Sequence, residues 1–555
     1  MSPEQKPGSP VRAGRRAAVA ALALVLAAGV VVADDSVSVP VASKARKAIP
    51  LPAGDKIELS LKQTIELTLQ NVLDLDVAAY SLEASKFGIL AARGAFDPNV
   101  EVDLGASDTQ NATASRIQAS ETKIAYGNAA LTGLLPYGTT YNLGWTNTRR
   151  DSAILGFTTI NPTYTSNFSL GVTQPLLRNF GRAVNERFVV QARLGRDGSA
   201  YGFVIAVQTA IQTAENAYWD LVYAVENLKA KLEALDRAKD LNRITRIKID
   251  VGALAPIDIV QTEVTIAQRE QDIIIAEGLI GDAQDRLRRL LNVQSVPDWN
   301  RPIVPIDRPS RESLRSGYVA DVSQGYEMAL RTRPEVKQSL LNIESKKVTY
   351  AYQKNQLRPR LDLSGGYGLA GLGARALVLN PDGTTDQLNY SDAYSQIGSR
   401  DYPSWSVGLV FSMPIGNRAA KGNTAIANAD LELARTNFAI TKANLQVEVR
   451  AAARGIDTAY RSVQAASKAR ELAERNLDAE KKKYENGMTT SFQVAQIQND
   501  LTTAVTNELQ AVAGYLKSQV AWHKAIGDLL SRTNVVLAGL PVSLDASAPE
   551  EGAVK

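Results

Sequence analysis

The chain contains two copies of one structural unit, and this duplication constrains the fold more than any other feature of the sequence. Three blocks of sequence match in the same order along the two copies. ELTLQNVLDLDVAAYSL (66–82) aligns without a gap with EMALRTRPEVKQSLLNI (327–343), FSLGVTQP (168–175) with VGLVFSMP (407–414), and IDVGALAPIDIVQTE (249–263) with YENGMTTSFQVAQIQ (484–498). Matched order, with matched proline and glycine positions, predicts a tandem repeat in which the first copy has the longer loop region.

Each copy opens with a short helix (59–71 and 322–331) and a second helix (73–95 and 334–357). A strand with alternating apolar residues follows each pair of helices, near 98–110 and 360–369, and a second strand returns near 163–175 and 403–413. Two strands per copy do not form a stable sheet alone, so the strands predict an oligomer. Residues 121–149 occur only in the first copy and predict an extra hairpin. This hairpin could enlarge the assembly of strands or form an outer elaboration, and we favour a position at the surface or rim.

Very long helices follow the strands. Residues 176–255 and 415–540 contain no proline. Apolar residues in both segments are spaced alternately by three and four, the pattern of helices packed as a coiled coil. The first series is Ile211, Ala214, Tyr218, Leu221, Val225, Leu228, Leu232 and Leu235, and the second is Val449, Ala452, Ile456, Ala459, Val463 and Ala466. Gly252 and Gly487 end these helices at hairpin tips, and return helices are predicted over 257–291 and 492–526.

The N-terminal segment predicts export. Arg15 and Arg16 precede an apolar run from Ala17 to Ala33, with small residues before the polar Asp34, which is typical of a signal peptide cleaved after Ala33. A retained membrane anchor is the alternative for this segment.

Composition excludes several classes of site. The chain has no cysteine and one histidine, so disulfides, thiolate chemistry and a metal site built from several histidines of one chain are excluded. Four of the basic residues behind the net charge of +4 lie in the first 33 residues, and the near-neutral remainder gives no indication of nucleic-acid binding. No phosphate-binding loop, nucleophile with a base, or metal-ligand spacing is found, so we expect neither enzymatic activity nor a cofactor.

The duplicated order resembles the TolC-type outer membrane efflux protein family. The resemblance is carried by LSLKQTIELTLQN (59–71), AARGAFDPNVEVDL (91–104), QPLL (174–177), and then a long helix, a glycine tip and a return helix. It implies a mainly α fold in which long helical hairpins form a periplasmic tunnel and the strands contribute to a trimeric outer membrane β-barrel, with four strands per chain in the minimal pattern. The resemblance also implies a periplasmic adaptor (membrane fusion) protein and an inner membrane pump of the RND, ABC or MFS type as partners, and outer membrane lipid around the strands.

On this basis the chain is divided into six segments. They are a signal peptide (1–33), an N-terminal periplasmic segment (34–58), the first repeat (59–292, long helices 184–291), an equatorial linker (293–321), the second repeat (322–528, long helices 420–526) and a C-terminal tail (529–555).

The resemblance also implies a gate at the hairpin tips, where the family commonly has a ring of aspartates in the second copy. Here the matching positions are Gln493 and Gln496, so that acidic ring is absent. Asp258 in the first copy could supply the negative charge, or could serve only at a helix start, where an acidic residue is favoured. Tyr484 resembles a tip tyrosine that helps to hold the closed state.

Two further sets of residues are predicted. Val251, Leu254 and Met488, beside Gly252 and Gly487, are expected to be exposed and could dock the adaptor, although packing within the tip is an equal alternative. Trp145, Tyr164 and Trp405 are expected at the membrane interface. Glu480–Lys483 is expected to be a solvated helix face.

Two functions compete. The first is an exit duct for efflux or type I secretion, and the second is a secreted coiled-coil scaffold or adhesin with a soluble β-cap.

Overall fold

A computed structural model describes residues 52, 54–112, 119–153, 160–309, 320–376, 378–379, 385–386, 390–537, 540 and 542. The described residues form two compact units, one within Leu90–Gln191 and Lys347–Ala429, and the other within Ala42–Ile89, Ala192–Lys346 and Asp430–Lys555. The predicted signal peptide (1–33) lies outside the described residues.

The described residues contain nine helices of more than one turn. They are α1 (Leu61–Asn71), α2 (Leu73–Arg93), α3 (Arg187–Asp250), α4 (Asp258–Leu290), α5 (Val322–Thr332), α6 (Pro334–Gln356), α7 (Tyr390–Ser399), α8 (Arg418–Glu485) and α9 (Ser491–Ile526). One-turn helices lie at Gly94–Phe96, Arg182–Asn185, Val296–Trp299 and Leu529–Arg532. Helices α1 to α4 correspond in order to α5, α6, α8 and α9. The two copies therefore share one helical plan, although α7 has no counterpart among the residues of the first copy that the structure describes.

The strands are β1 (Ile57–Leu59), β2 (Asn99–Gln110), β3 (Glu121–Leu134), β4 (Thr140–Ala153), β5 (Ile160–Pro175), β6 (Ile303–Pro305), β7 (Arg360–Ala376), β8 (Val378–Leu379), β9 (Thr385–Asp386) and β10 (Pro403–Ser412). None of the helices within the described residues is both long enough and apolar enough to cross a membrane.

Local capping fixes the starts of the short helices. Ser60 caps α1 in a reciprocal capping box with Gln63, and Asp321 caps α5 by accepting from the backbone N–H groups of Ser323 and Gln324. Such caps satisfy the backbone N–H groups that a first helical turn leaves without partners.

The long helix α3 has 64 residues and is about 96 Å long at about 1.5 Å per residue. The predicted seam is buried from Ile211 to Leu221. It then shifts to small residues, and Leu232 is 48% exposed instead of buried. The buried positions farther along include Ala224, Ala230, Ala234 and Ala238. Alanine permits neighbouring helices to approach closely, so the seam follows small side chains where the sequence pattern had favoured leucines.

One sheet dominates the unit built from 90–191 and 347–429. Its strand order is β10-β7-β5-β4-β3-β2, and all neighbours are antiparallel. The extra hairpin predicted at 121–149 forms β3 and β4, which pair with each other along their whole length and with β2 and β5 along most of it. The expectation of a hairpin at the surface or rim is therefore wrong. The strands are long enough to join the ladder, and joining it pairs their backbone groups.

The sheet has one apolar and one polar face. A row of directly opposite residues crosses all six strands on the apolar face. It consists of Val100, Leu131, Leu143, Leu170, Tyr367 and Trp405. The other face carries Glu101, Asp103, Thr146 and Asn167, among other polar residues. Strict alternation places these two sets on opposite sides of the pleat.

Helix α7 lies on the apolar face, near one end of the sheet. The rings of Trp145 and Tyr394 are 5.9 Å apart, and those of Tyr164 and Tyr390 are 4.6 Å apart. The Trp145 indole N–H also donates to Ser166, 2.9 Å away. Trp145 and Tyr164 therefore lie beneath a helix, whereas Trp405 is 77% exposed. Of the three predicted interface aromatics, only Trp405 has the exposure that contact with lipid requires.

Docking of α7 depends on Gly371. A Cβ atom at this position would lie 2.0 Å from the carbonyl oxygen of Ala393 in α7. We expect Gly371→Val to release α7 from the sheet and make its tyrosines accessible to chymotrypsin. Gly365→Val is the matched control, because it lies on the same strand and face and its Cβ would meet nothing within 4 Å. Equal cleavage of the two variants would contradict this assignment.

A parallel pair of short strands joins the start of the described chain to the linker between the repeats. β1 pairs with β6 from Ile57 opposite Ile303 to Leu59 opposite Pro305. The backbone N–H of Asp307 donates to the Tyr218 hydroxyl at 3.0 Å, and the Asp307 carboxylate accepts from the N–H of Leu61 at 2.6 Å. These contacts fasten the linker to α1 and α3.

Candidate functional site

The two hairpin tips have the same backbone geometry. Gly252 and Gly487 have φ values of 77° and 76°, in the left-handed region that favours glycine. In each tip the following residue donates its N–H to a carbonyl five residues back, from Ala253 to Lys248 (2.7 Å) and from Met488 to Lys483 (2.9 Å). This is the Schellman arrangement, which satisfies helix-end carbonyls. The duplication therefore extends to the hydrogen bonds of the tips.

A buried cluster lies directly behind the tips and joins the two hairpins. Tyr484 of α8 is 2% exposed, and its hydroxyl lies 2.8 Å from the hydroxyl of Thr245 of α3, which is fully buried. Leu241, Leu477 and Val494 pack in the same cluster. Because neither hydroxyl is accessible to water, separating the hairpins at this point leaves both groups without this partner.

Lys248 makes a second connection between the hairpins. Its ammonium group donates to the backbone carbonyl of Tyr484 and to that of Glu485, 3.3 Å away. It also lies 4.3 Å from the centroid of the Tyr484 ring. A cation at the last carbonyls of a helix interacts favourably with the helix dipole, so Lys248 holds the end of α8.

The electrostatics of the cluster reflect its burial. Burial raises the pKa of the Tyr484 hydroxyl, and although the hydrogen bond with Thr245 acts in the opposite direction, the charge of Asp258 adds to the rise. Tyr484 is therefore a neutral hydrogen-bonding group at physiological pH.

The predicted solvated face at 480–483 is wrong for Glu480, which is 6% exposed. Its carboxylate accepts hydrogen bonds from Thr489 and Lys483, which lower its pKa. Glu480 thus holds the tip turn against the end of α8.

The predicted gate residues do not all lie in this cluster. Asp258 is half-buried at the first position of α4, and no side-chain hydrogen bond caps that helix. Gln493 and Gln496 are exposed, and the side chain of Gln496 donates to Asp500 at 3.3 Å. Tyr484 alone among the predicted gate residues makes a buried contact between hairpins.

The apolar tip residues differ in exposure. Val251 and Met488 are 72% and 74% exposed. Leu254 is half-buried and packs against the cluster that contains Tyr484, which agrees with the alternative of packing within the tip. The tip therefore presents one exposed apolar side chain from each hairpin beside its glycine.

Helices α2, α3, α6 and α8 lie side by side in the unit that contains the tips. Leu75 of α2 shares a hydrophobic cluster with Val204 of α3. Gln338 of α6 donates to the Gly198 carbonyl of α3 (2.8 Å), and Lys346 of α6 pairs with Asp430 of α8 (3.0 Å). Within the described residues, these links place the four helices in the order α2-α3-α6-α8, which makes α2 and α8 the outermost of the four.

Both outermost helices carry exposed apolar stripes at coiled-coil spacing. Leu433, Ile440 and Val447 of α8 recur every seven residues and are between 52% and 64% exposed. The stripe of α2 has steps of four and three and consists of Leu73, Val77, Tyr80, Ala84 and Phe87. Such stripes normally pack against another helix.

Sequence reasoning missed Thr245 and Lys248, which contact Tyr484 from the other hairpin. No motif marks them, because they come from a chain segment more than two hundred residues away. Among the described residues, no group of three or more His, Asp or Glu side chains could hold a metal ion.

The family model described as outer membrane efflux protein matches residues 64–293 and 325–528. Nodulation protein T of Rhizobium leguminosarum bv. trifolii is 22% identical over 370 residues, which cover 66% of this chain and 73% of that protein.

Two solved structures have the same fold. The CmeC outer membrane channel of Campylobacter jejuni is 17% identical with a TM-score of 0.59, and the match covers 84% of this chain and 86% of that one. The MtrE outer membrane channel of Neisseria gonorrhoeae, solved in an open state, is 15% identical with a TM-score of 0.56. That match covers 84% of this chain and 89% of the MtrE chain. The predicted fold class, long duplicated helical hairpins with strands, is confirmed.

The matched blocks take in both copies and more than half of the chain. The family is one of transport proteins, which decides against the scaffold or adhesin hypothesis. The chain therefore belongs to the outer membrane efflux protein family, whose members act in efflux at the outer membrane.

Proposed function

We propose that the chain works as a homotrimer, closed at rest by its hairpin tips and opened when a periplasmic adaptor docks on them. An inner membrane pump then delivers the substrate. The observation that carries the proposal is the pair of exposed stripes on the two outermost helices of the layer. The α8 stripe of one copy and the α2 stripe of the next can bury each other around a closed ring.

Closure at rest is proposed from the Tyr484 cluster. The links made by Thr245 and Lys248 hold the end of α8 against α3, so the two tips cannot separate without breaking the buried hydrogen bond between Thr245 and Tyr484 and the bond from Lys248 to the Glu485 carbonyl. Asp258 stands at the start of α4 and adds negative charge beside this cluster. Gln493 and Gln496 are exposed, whereas Tyr484 is buried between the hairpins. Tyr484 is therefore the stronger candidate for a gate residue.

Adaptor docking is proposed at the exposed tip residues. Val251→Glu with Met488→Glu is expected to weaken adaptor binding. Each buried apolar side chain contributes about 1.5–3 kcal/mol, so each loss corresponds to about a 10- to 100-fold change in affinity. The measurement is recovery of the adaptor with affinity-tagged channel from host membranes, identified by mass spectrometry.

The control for docking is Gln493→Glu, which places a negative charge at an exposed polar position of the same tip. Undiminished recovery of the adaptor with the double variant would contradict docking at these residues.

The duct proposal as a whole is tested with a strain that lacks the protein and by measuring the mass of the detergent-extracted protein. A deletion strain is expected to become sensitive to exported compounds and to recover with the wild-type chain, and the detergent-extracted protein is expected to have the mass of three chains. A monomer in detergent, or an unchanged pattern of sensitivity, would overturn the proposal.

A further inference from the structure

We propose that the six-stranded sheet closes through a direct seam between β10 of one copy and β2 of the next, so that three copies form one closed sheet of eighteen strands. The number of copies rests on the proposed function, and the seam rests on the geometry of the sheet. In this arrangement β3 and β4 widen the conduit. With the minimal family pattern of four strands per chain, three copies would form a closed sheet of twelve strands.

The two outer strands need partners. Within the described residues, β2 and β10 each pair with a strand on one side only. Both have exposed apolar residues on the same face of the sheet, and both leave a row of backbone groups unpaired. In a lipid environment unpaired backbone groups are very costly, and a closed sheet removes them.

The directions of the strands permit closure. All five pairings in the sheet are antiparallel, so the first and sixth strands run in opposite directions. A second copy can therefore add its β2 beside β10 without a parallel junction. The apolar faces of the two copies then lie on the same side.

One register matches the apolar residues of both edges. It places Phe411 opposite Val100, Leu409 opposite Val102, and Val407 opposite Leu104. All ten residues of β10 then find partners within the twelve residues of β2. The alternate residues bring Ser406 opposite Gly105 and Ser404 opposite Ser107 on the polar face.

The same register supplies the stagger that a closed sheet needs. Within one copy, Trp405 lies in the same cross-strand row as Val100. Across the proposed seam Trp405 faces Ala106, six residues farther along β2. A shift of six residues for every six strands, at about 3.3 Å per residue and about 4.8 Å between strands, tilts the strands by about 35°. Closed sheets have strand tilts of about 35–45°, so the register is geometrically consistent.

Closure with eighteen strands also has a functional consequence. The diameter of a closed sheet grows roughly in proportion to strand number, so the outer end is about one and a half times as wide as a twelve-stranded sheet at the same tilt. Closed sheets of about 16–18 strands enclose a water-filled channel. The face that carries Glu101 and Asp103 would line it.

The test is disulfide cross-linking in the full chain, which has no natural cysteine. Val102→Cys with Leu409→Cys is expected to give covalently linked trimers on oxidation, because directly opposite residues have Cβ atoms about 4.5–5.5 Å apart. Within one copy these residues lie on opposite edges of the sheet and cannot link. Val102→Cys with Trp405→Cys is the control, since these positions are offset by four residues in the proposed register and are expected to remain unlinked.

Three outcomes separate the proposals. Linked trimers from the first pair alone support the seam. Trimers of the correct mass that link through neither pair, or a cryo-EM map with a number of strands other than eighteen, overturn the seam and leave the proposed function standing. A protein that is not a trimer overturns both.

Discussion

Channels that carry Tyr484→Phe together with Lys248→Met are expected to conduct ions where the wild-type channel stays closed. The phenylalanine keeps the ring in its apolar cluster but removes the hydroxyl that meets Thr245, and the methionine removes the cation at the end of α8. The lost buried hydrogen bond between the two hydroxyls costs about 1–3 kcal/mol, and the loss of the Lys248 link adds to this cost. In the proposed trimer all three copies lose both links, so the resting conductance should rise by more than about tenfold. The measurement is single-channel conductance in planar lipid bilayers.

The control for this experiment is the substitution Gln496→Ala. Gln496 is one of the two positions at which the family resemblance would place the acidic ring. Gln496 is exposed and its side chain donates to Asp500 of its own helix, so its loss should leave conductance unchanged. If the Gln496 variant leaks and the Tyr484 variant does not, the gate lies in a ring of glutamines and not in the buried cluster.

Loss of the trimer is the result expected from Leu433→Glu with Ile440→Glu. Both residues lie in the exposed stripe of α8, and each contributes about 1.5–3 kcal/mol when buried between copies. The substitutions remove this contribution and would bury charge at three seams at once. Light scattering of the detergent-extracted protein should give the mass of a single chain.

Ala439→Glu with Gln446→Glu adds the same charge to exposed positions of the same helix, away from the stripe. These chains should remain trimeric. If both double variants stay trimeric, α8 is not an interface between copies.

The duplication and the helix periods were enough to predict the helical hairpins. Gly252 and Gly487 marked their tips correctly, because only a few residue types accept the left-handed conformation that ends a helix. The seam of α3 was predicted only in part. Leu232 fits the heptad by spacing, but the neighbouring helices approach at alanines, and packing between helices decides which face is buried.

The sheet and the gate were harder to predict. The hairpin at 121–149 was recognised as a hairpin, but its place inside the ladder depends on which strands it pairs with. Local sequence does not specify that choice. Tyr484 was proposed by resemblance, whereas its partners Thr245 and Lys248 come from the other copy and carry no local pattern. The parallel pair of β1 and β6 was missed because three-residue strands have no measurable alternation.

That parallel pair also bears on the ancestry of the chain. A polypeptide that ended before Ile303 would contain every helix of the first copy, yet β1 would have no strand beside it and Tyr218 would lose the N–H of Asp307. The first half is completed by residues that follow it. Any exchange of halves between relatives, or any attempt to reconstruct a half-length ancestor, must therefore keep the connecting segment with the first half.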